Sequence, residues 1–359
     1  MNSASWIKGS LLERLAMKRL AGAVDSPTKA FDVFGELQRV RKILILHSDR
    51  VGGLFLGAPA YKAVRQKYED SSITLFSDQR MAAVARYMPF VDEIISGDLR
   101  QRTWRNTFSG TVDRLRREQF DLALCLGTDC SFRLAQVCGA SGARLRVGFK
   151  RADCKPQPFN IELVCTSSDT YEVDQYEGLL KLLGIPGGDE IRWTISEEKA
   201  QQVRDRYLDG EFAGRQVLAV DLGKGEHHGM SNRQMEDVVG RVIERRGRAV
   251  VFFSLAEKKQ VNYLKRTYGN RILAFDQQDL AGVAALLEGC RALISCNTDL
   301  LHLAISLHIP AVGIIDDNPR RWISTRNRLV KVVATRDKRA LRIAEVVEAL
   351  EAALNEEAA

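Results

Sequence analysis

The chain contains no run of about 18 consecutive apolar residues, the minimum for a membrane-spanning helix, so no part of it reads as a membrane-embedded body. Met1–Val24 lacks the unbroken apolar centre of a secretory signal, which leaves the cytoplasm as the expected compartment. The seven cysteines, Cys125, Cys130, Cys138, Cys154, Cys165, Cys290 and Cys296, include no CxxC pair, and their odd number argues against a complete disulfide framework. Small core residues are the ordinary role for such thiols. The acidic run Asp316-Asp317-Asn318 follows an apolar strand but lacks the Asp-x-Asp spacing of metal-binding carboxylates. It reads as a loop, and neither a metal nor another cofactor is expected.

What is present is a globular chain of 359 residues, 45% hydrophobic and 28% charged, long enough for two cores of ordinary size. A net charge of +7 favours an anionic partner. No nucleic-acid recognition motif accompanies it, so nucleic acid is not expected as that partner. Basic residues gather at Arg100, Arg102, Arg105, Arg114, Arg116, Arg117, Arg144, Arg146, Lys150 and Arg151. Those of 114–117 suit a solvated helix face, and the loop residues suit phosphates.

The most informative stretch is Ala292–Ile315, ALISCNTDLLHLAISLHIPAVGII. An apolar strand stops at Cys296-Asn297-Thr298, and a helix is predicted to start at Thr298 or Asp299. Leu300, Leu303, Ala304 and Leu307 form one buried stripe, Pro310 ends the helix, and Ala311–Ile315 is a second strand. This is a parallel βαβ unit, in which anions meet the start of the helix beyond the strand end. His302 lies off the stripe, either facing that crevice or simply half-exposed on the helix.

Strand–helix alternation runs on both sides of a polar interval at 152–169. In the first half, strands are predicted at Ile43–Leu46, Ile73–Phe76, Glu93–Ser96 and Leu122–Leu126, with a turn at His47–Gly53. In the second, they are predicted at Trp193–Ile195, Val217–Val220, Ala249–Phe253 and Ile272–Ala274, before the βαβ unit. The expected division is 1–40, an amphipathic extension; 41–165, the first domain; 166–190, a linker helix; 191–334, the second domain; and 335–359, a C-terminal helix. Within the extension, Trp6–Leu20 places Leu11, Leu12, Leu15 and Ala16 on one face, with basic residues largely elsewhere. That pattern suits an anionic membrane surface, and equally a helix docked on the protein's own body.

The ordered set RKILILHSDRVGG…AP, YMPFVDEII, QFDLALCL, DTYEVDQYEGLLKLLGI and SCNTDLLHLAISLHIPAVGI resembles glycosyltransferase family 9, the lipopolysaccharide heptosyltransferases. The resemblance implies an α/β GT-B fold, two Rossmann-like domains with parallel sheets facing a cleft, acceptor held by the first and nucleotide-sugar donor by the second. It implies transfer from an ADP-heptose-like donor to a lipid-linked or related glycan acceptor at the cytoplasmic face of the inner membrane, with inversion and without a required metal.

The same resemblance locates three departures. The family's catalytic Asp, six residues before a Pro, falls on Gly53 before Pro59, which leaves Asp49 and His47 as the nearby substitutes and Asp49 as the candidate base. The donor pattern Asp-Thr/Ser-Gly-x-x-His appears as Asn297-Thr298-Asp299-Leu300-Leu301-His302, and a family Lys-x-Trp-Pro loop falls on Gly229-Met230-Ser231-Asn232, which lacks the cation. Lys224, His228 or Arg233 is the candidate replacement, with Lys224 or His228 taken into the donor set, and Glu257 matches a nucleoside-contacting position. The implied donor set is therefore Lys224, His228, Glu257, Asn297, Thr298, Asp299 and His302. Two functions stay open at this level: a divergent transferase, or a GT-B protein that has lost transfer and binds a sugar, a lipid or another protein.

Overall fold

A computed structural model describes residues 32–47, 51–99, 108–127, 132–150, 158–164, 170–187, 193, 197–208, 212, 217–223, 230–315, 318–334 and 341–357. The chain divides into two compact units, Met1–Glu190 and Ile191–Ala359.

In the first unit the elements follow as α1 (Val33–Gln38), β1 (Lys42–Leu46), α2 (Val51–Lys67), β2 (Ser72–Asp78), α3 (Ala82–Ala85), β3 (Glu93–Gly97) and α4 (Phe108–Glu118). Then come β4 (Leu122–Cys125), α5 (Phe132–Ala140), β5 (Leu145–Phe149), β6 (Ile161–Leu163) and α6 (Glu172–Lys181). The six strands form one parallel sheet in the order β3-β2-β1-β4-β5-β6. Ile43–Leu46 and Leu122–Cys125 are buried along their whole length, as a sheet covered on both faces requires.

The sequence pattern missed the outer two strands. In β5 the charged Arg146 interrupts the apolar run, yet it is buried, its Nε and Nη1 donating to the carbonyls of Pro158 and Ala143 at 2.9 and 2.7 Å. β6 has three residues and lies inside the polar interval. Helix α2 starts earlier than expected, so Gly52 and Gly53 belong to its first turn rather than to the preceding loop. Helix α6, predicted as part of a linker, packs on α2 and on β5 and β6 of this unit.

The second unit contains α7 (Glu197–Tyr207), β7 (Leu218–Asp221), α8 (Asn232–Arg246), β8 (Ala249–Phe253), α9 (Lys258–Tyr268), β9 (Ile272–Asp276) and α10 (Leu280–Glu288). It continues with β10 (Ala292–Cys296), α11 (Asp299–Ser306), β11 (Ala311–Ile315), α12 (Pro319–Trp322), β12 (Val330–Ala334) and α13 (Ile343–Glu357). Its sheet is again six-stranded and parallel, in the order β12-β11-β10-β7-β8-β9. Counted from its own first strand this is the same winding as the first unit. Val238, Val242, Val346 and Leu350 bring α8 and α13 onto one core against Leu218 and Ile294. Trp193, predicted to open a strand, lies in none; it is buried, with its N–H on the Ser306 carbonyl at 2.7 Å.

Both sheets reverse winding direction between two central strands, β1 and β4 in one and β7 and β10 in the other. Ligands of such sheets sit beyond the carboxyl ends of the strands at that point.

Candidate active site

At the end of β1 the chain places His47, fully buried. Its Nδ1 lies 2.6 Å from the Tyr61 hydroxyl on α2, and its Nε2 lies 3.0 Å from the Tyr176 hydroxyl on α6. Tyr176 in turn donates to Glu172 Oε1 at 2.7 Å. Proton accounting follows for a neutral imidazole: Tyr176 spends its proton on Glu172, so it accepts from Nε2–H, and Nδ1 accepts from Tyr61. Burial pushes the Tyr61 phenol well above its usual range, which keeps that proton in place. Gly57 makes the arrangement possible, since a Cβ there would lie 2.2 Å from His47 Cε1. His47 is therefore a structural tie between β1, α2 and α6, and it drops out as a substitute base. Asp49 lies outside the described residues. Gly53 is buried in the first turn of α2.

The second switch point is built around a residue that the sequence pattern did not single out. Asp221 ends β7 and is fully buried. Oδ1 accepts from the Gly223 N–H and from Gln277 Nε2, both at 2.8 Å. Oδ2 accepts from Ser295 Oγ at 2.9 Å and from Thr298 Oγ1 at 2.5 Å. Burial raises the Asp221 pKa from its ordinary value, and these hydrogen bonds only partly oppose it. A carboxylate directly after an apolar strand and two residues before a glycine was the available signal.

The predicted donor residues can now be placed. Helix α11 begins at Asp299 with Thr298 as its N-cap, within the predicted start. The Thr298 hydroxyl does not cap the helix; it turns inward to Asp221. Asp299 is exposed, and Asn297 Oδ1 is buried with no hydrogen-bond partner among the described residues. His302 is 5% exposed and packs its ring 5.9 Å from that of Trp322, so it is neither half-exposed nor open to a wide crevice. Trp322 comes from α12, whose Arg321 guanidinium lies 4.7 Å from the indole centroid.

Glu257 takes a local role. Its Oε2 accepts from the Ser254 N–H at 3.0 Å and from Ser254 Oγ at 2.6 Å, closing a capping box ahead of α9. Lys224 and His228 lie outside the described residues. Met230 is buried, and Ser231 caps α8 with Gln234, so the end of this loop is an ordinary helix start. Among the described cations of the first unit, Arg114 is committed to Glu93, Arg144 to Glu36 and Arg146 to backbone carbonyls, while Arg100, Arg102, Arg105 and Arg151 lie outside the described residues. Among the described residues no group of His, Cys, Asp and Glu is arranged to hold a metal ion. The described cysteines are buried and unlinked, and burial pushes the thiols of Cys138 and Cys290 up to about 12.

A model of "Glycosyltransferase family 9 (heptosyltransferase)" matches residues 111–347, well over half of the chain. The chain belongs to glycosyltransferase family 9. It is similar to lipooligosaccharide heptosyltransferase 2 of Haemophilus ducreyi, with 21% identity over 286 residues, 75% of this chain and 81% of that protein. Among solved structures it resembles a family 9 glycosyltransferase of Veillonella parvula, with a TM-score of 0.74 and 18% identity, covering 88% of this chain and 97% of that one. It also resembles the ADP-heptose lipopolysaccharide heptosyltransferase II of E. coli, with a TM-score of 0.69 and 17% identity over 89% of this chain and 100% of that one. Family 9 membership and the GT-B fold make this chain a glycosyltransferase. The family match begins in α4, after the β1–α2 region that carries Gly53 in place of the expected Asp.

Proposed function

We propose that this glycosyltransferase moves a heptose-class sugar from a nucleoside diphosphate donor to a lipid-linked or related glycan acceptor of the lipopolysaccharide core class, with inversion. The observation that carries the reading is the β10–α11 turn. Asn297-Thr298-Asp299 begins a helix directly beyond the central strands of the second sheet, and the first N–H groups of a helix have no partner within it. Those groups suit a diphosphate. The donor of the E. coli relative, ADP-heptose, supports the choice of nucleotide.

Chemically, the acceptor oxygen attacks the anomeric carbon. A C–O bond forms there as the C–O bond to the diphosphate breaks, and the electron pair leaves with the phosphate oxygen. Helix N–H groups stabilise the charge that develops on it. The acceptor proton goes to a base, for which Asp49 is the candidate, since His47 has both ring nitrogens occupied. Lys224 and His228, which follow β7 in the sequence, are proposed to offset the negative charge of Asp299.

Trp6–Leu20, outside the described residues, is proposed to hold the enzyme on anionic lipid at the cytoplasmic face of the inner membrane. No helix among the described residues is long and apolar enough to cross a membrane. Calorimetry with ADP, UDP and GDP tests the donor site: ADP is expected to bind, and Thr298→Ala combined with Lys224→Ala to weaken it. Absence of binding by all three would refute the nucleotide-donor reading, and an unaffected double variant would mean the site is elsewhere.

A further inference from the structure

Asp221 is a buried carboxylate that the reaction scheme does not use. Its four donors come from separate stretches: the exit of β7, the residue after β9, the end of β10 and the cap of α11. A carboxylate offers about four lone-pair sites, and here all four are filled. Three loops at the carboxyl end of the sheet thus depend on one side chain. Gly223 fits closely into this knot, since a Cβ on it would lie 3.0 Å from Asp221 Oδ1 and 3.3 Å from Thr298 Cγ2.

We propose that Asp221 is a positioning residue of the donor site, which locks the β7, β9 and β10 exits together and, while ionised, turns the Thr298 hydroxyl away from the ligand. The part that concerns the ligand rests on the reading that a nucleoside diphosphate binds at the start of α11. Thr298 has one hydroxyl proton, and an ionised Asp221 takes it. Its contribution to a phosphate is then the backbone alone, above a buried negative charge.

Protonating Asp221 reverses both effects. The new O–H donates to Thr298 Oγ1, the Thr298 proton is freed for a ligand oxygen in competition with Ser295 Oγ 2.9 Å away, and the charge beneath the phosphates is removed. Donor binding and proton uptake by Asp221 are therefore coupled. Among the described residues, nearby charged groups do not screen it: Asp299 is exposed on α11, Asp276 accepts from the Gln278 N–H, and Glu257 is closed in its capping box. Burial raises the Asp221 pKa, and no charged side chain among the described residues is an influence on it.

The test compares Asp221→Asn, Asp221→Ala and Gln277→Leu in the full chain, using hydrogen exchange without ligand and ADP titration across pH. Asp221→Ala should speed exchange at 222–223, 277–278 and 298–301 together and weaken ADP about 10-fold or more. Gln277→Leu, at a half-buried position, should do the same more mildly, and it serves if the alanine variant fails to fold. Asp221→Asn imitates the protonated acid through its Nδ2–H. It should keep ADP affinity at or above the parent's and lose the parent's extra pH dependence, with ADP's own titration common to both.

Unchanged exchange in both Asp221→Ala and Gln277→Leu would overturn the positioning role. Identical pH profiles for parent and Asp221→Asn would overturn the coupling. A parent that binds no nucleotide while exchange responds as described would instead refute the donor-site reading and leave the positioning role standing.

Discussion

Gly57→Ala is a substitution for which local propensity and tertiary structure predict opposite signs. Gly57 lies inside α2, where alanine is worth about 1 kcal/mol over glycine, so propensity alone predicts a gain. The structure predicts a loss. The added Cβ would lie 2.2 Å from His47 Cε1, 2.5 Å from Nδ1 and 2.8 Å from the Tyr61 hydroxyl oxygen. None of these can move cheaply, because His47, Tyr61 and Tyr176 are all fully buried and tied to one another. Displacing the imidazole adds an overpacking cost to that of leaving a buried polar group without its partner. After the propensity gain, the net cost is about 2–4 kcal/mol. In a unit of this size that lowers the melting temperature by roughly 5–15 °C. Thermal unfolding followed by near-ultraviolet circular dichroism measures it, with His47→Ala/Gly57→Ala as the partner variant in a double-mutant cycle. The cycle should show a favourable coupling of at least about 1 kcal/mol, since removing the ring removes the clash. A Gly57→Ala protein as stable as its parent, or more so, would refute the reasoning.

Three further outcomes are expected. Asp49→Ala should lower turnover by about 10²- to 10⁴-fold with donor affinity nearly unchanged, and Gly53→Asp should raise turnover; equal turnover in parent and Asp49→Ala in a steady-state assay would eliminate Asp49 as the base. The folded-state pKa of Asp221 is raised from 3.8, so its contribution to stability is fully present below that value and is lost as pH rises through the folded value. Denaturation of parent and Asp221→Asn across the acidic range should show the variant's relative stability climbing with pH, and a constant difference would contradict the assignment. Deleting Met1–Gly22 should release the protein from anionic vesicles in a sedimentation assay, and undiminished binding would remove the membrane role of Trp6–Leu20.

The βαβ unit of Ala292–Ile315 was legible because its punctuation is local. Asn297-Thr298 opens the helix, Pro310 follows it, and the strands on either side are uniformly apolar. β5 and β6 were not legible, one because a buried arginine satisfied by carbonyls looks like a surface charge, the other because three residues carry no period. The site divides in the same way. Thr298 and His302 follow from a local pattern. Asp221 does not, since its Gln277, Ser295 and Thr298 partners lie 56, 74 and 77 positions away. His47 was visible as a polar residue at a strand end, but its role depends on Tyr176, 129 positions along. Side chains that tie distant segments together become readable only once the sheet order is known.

The central claim, sugar transfer from a nucleoside diphosphate donor, is tested most directly by mass spectrometry of acceptor glycolipid incubated with the full chain and ADP-heptose. A product heavier by one heptose residue is expected, formed with release of ADP and lost in a Thr298→Ala/Lys224→Ala variant. No sugar added to any lipid-linked core acceptor, from ADP-heptose or from a panel of other nucleotide sugars, and none by Gly53→Asp, would contradict it.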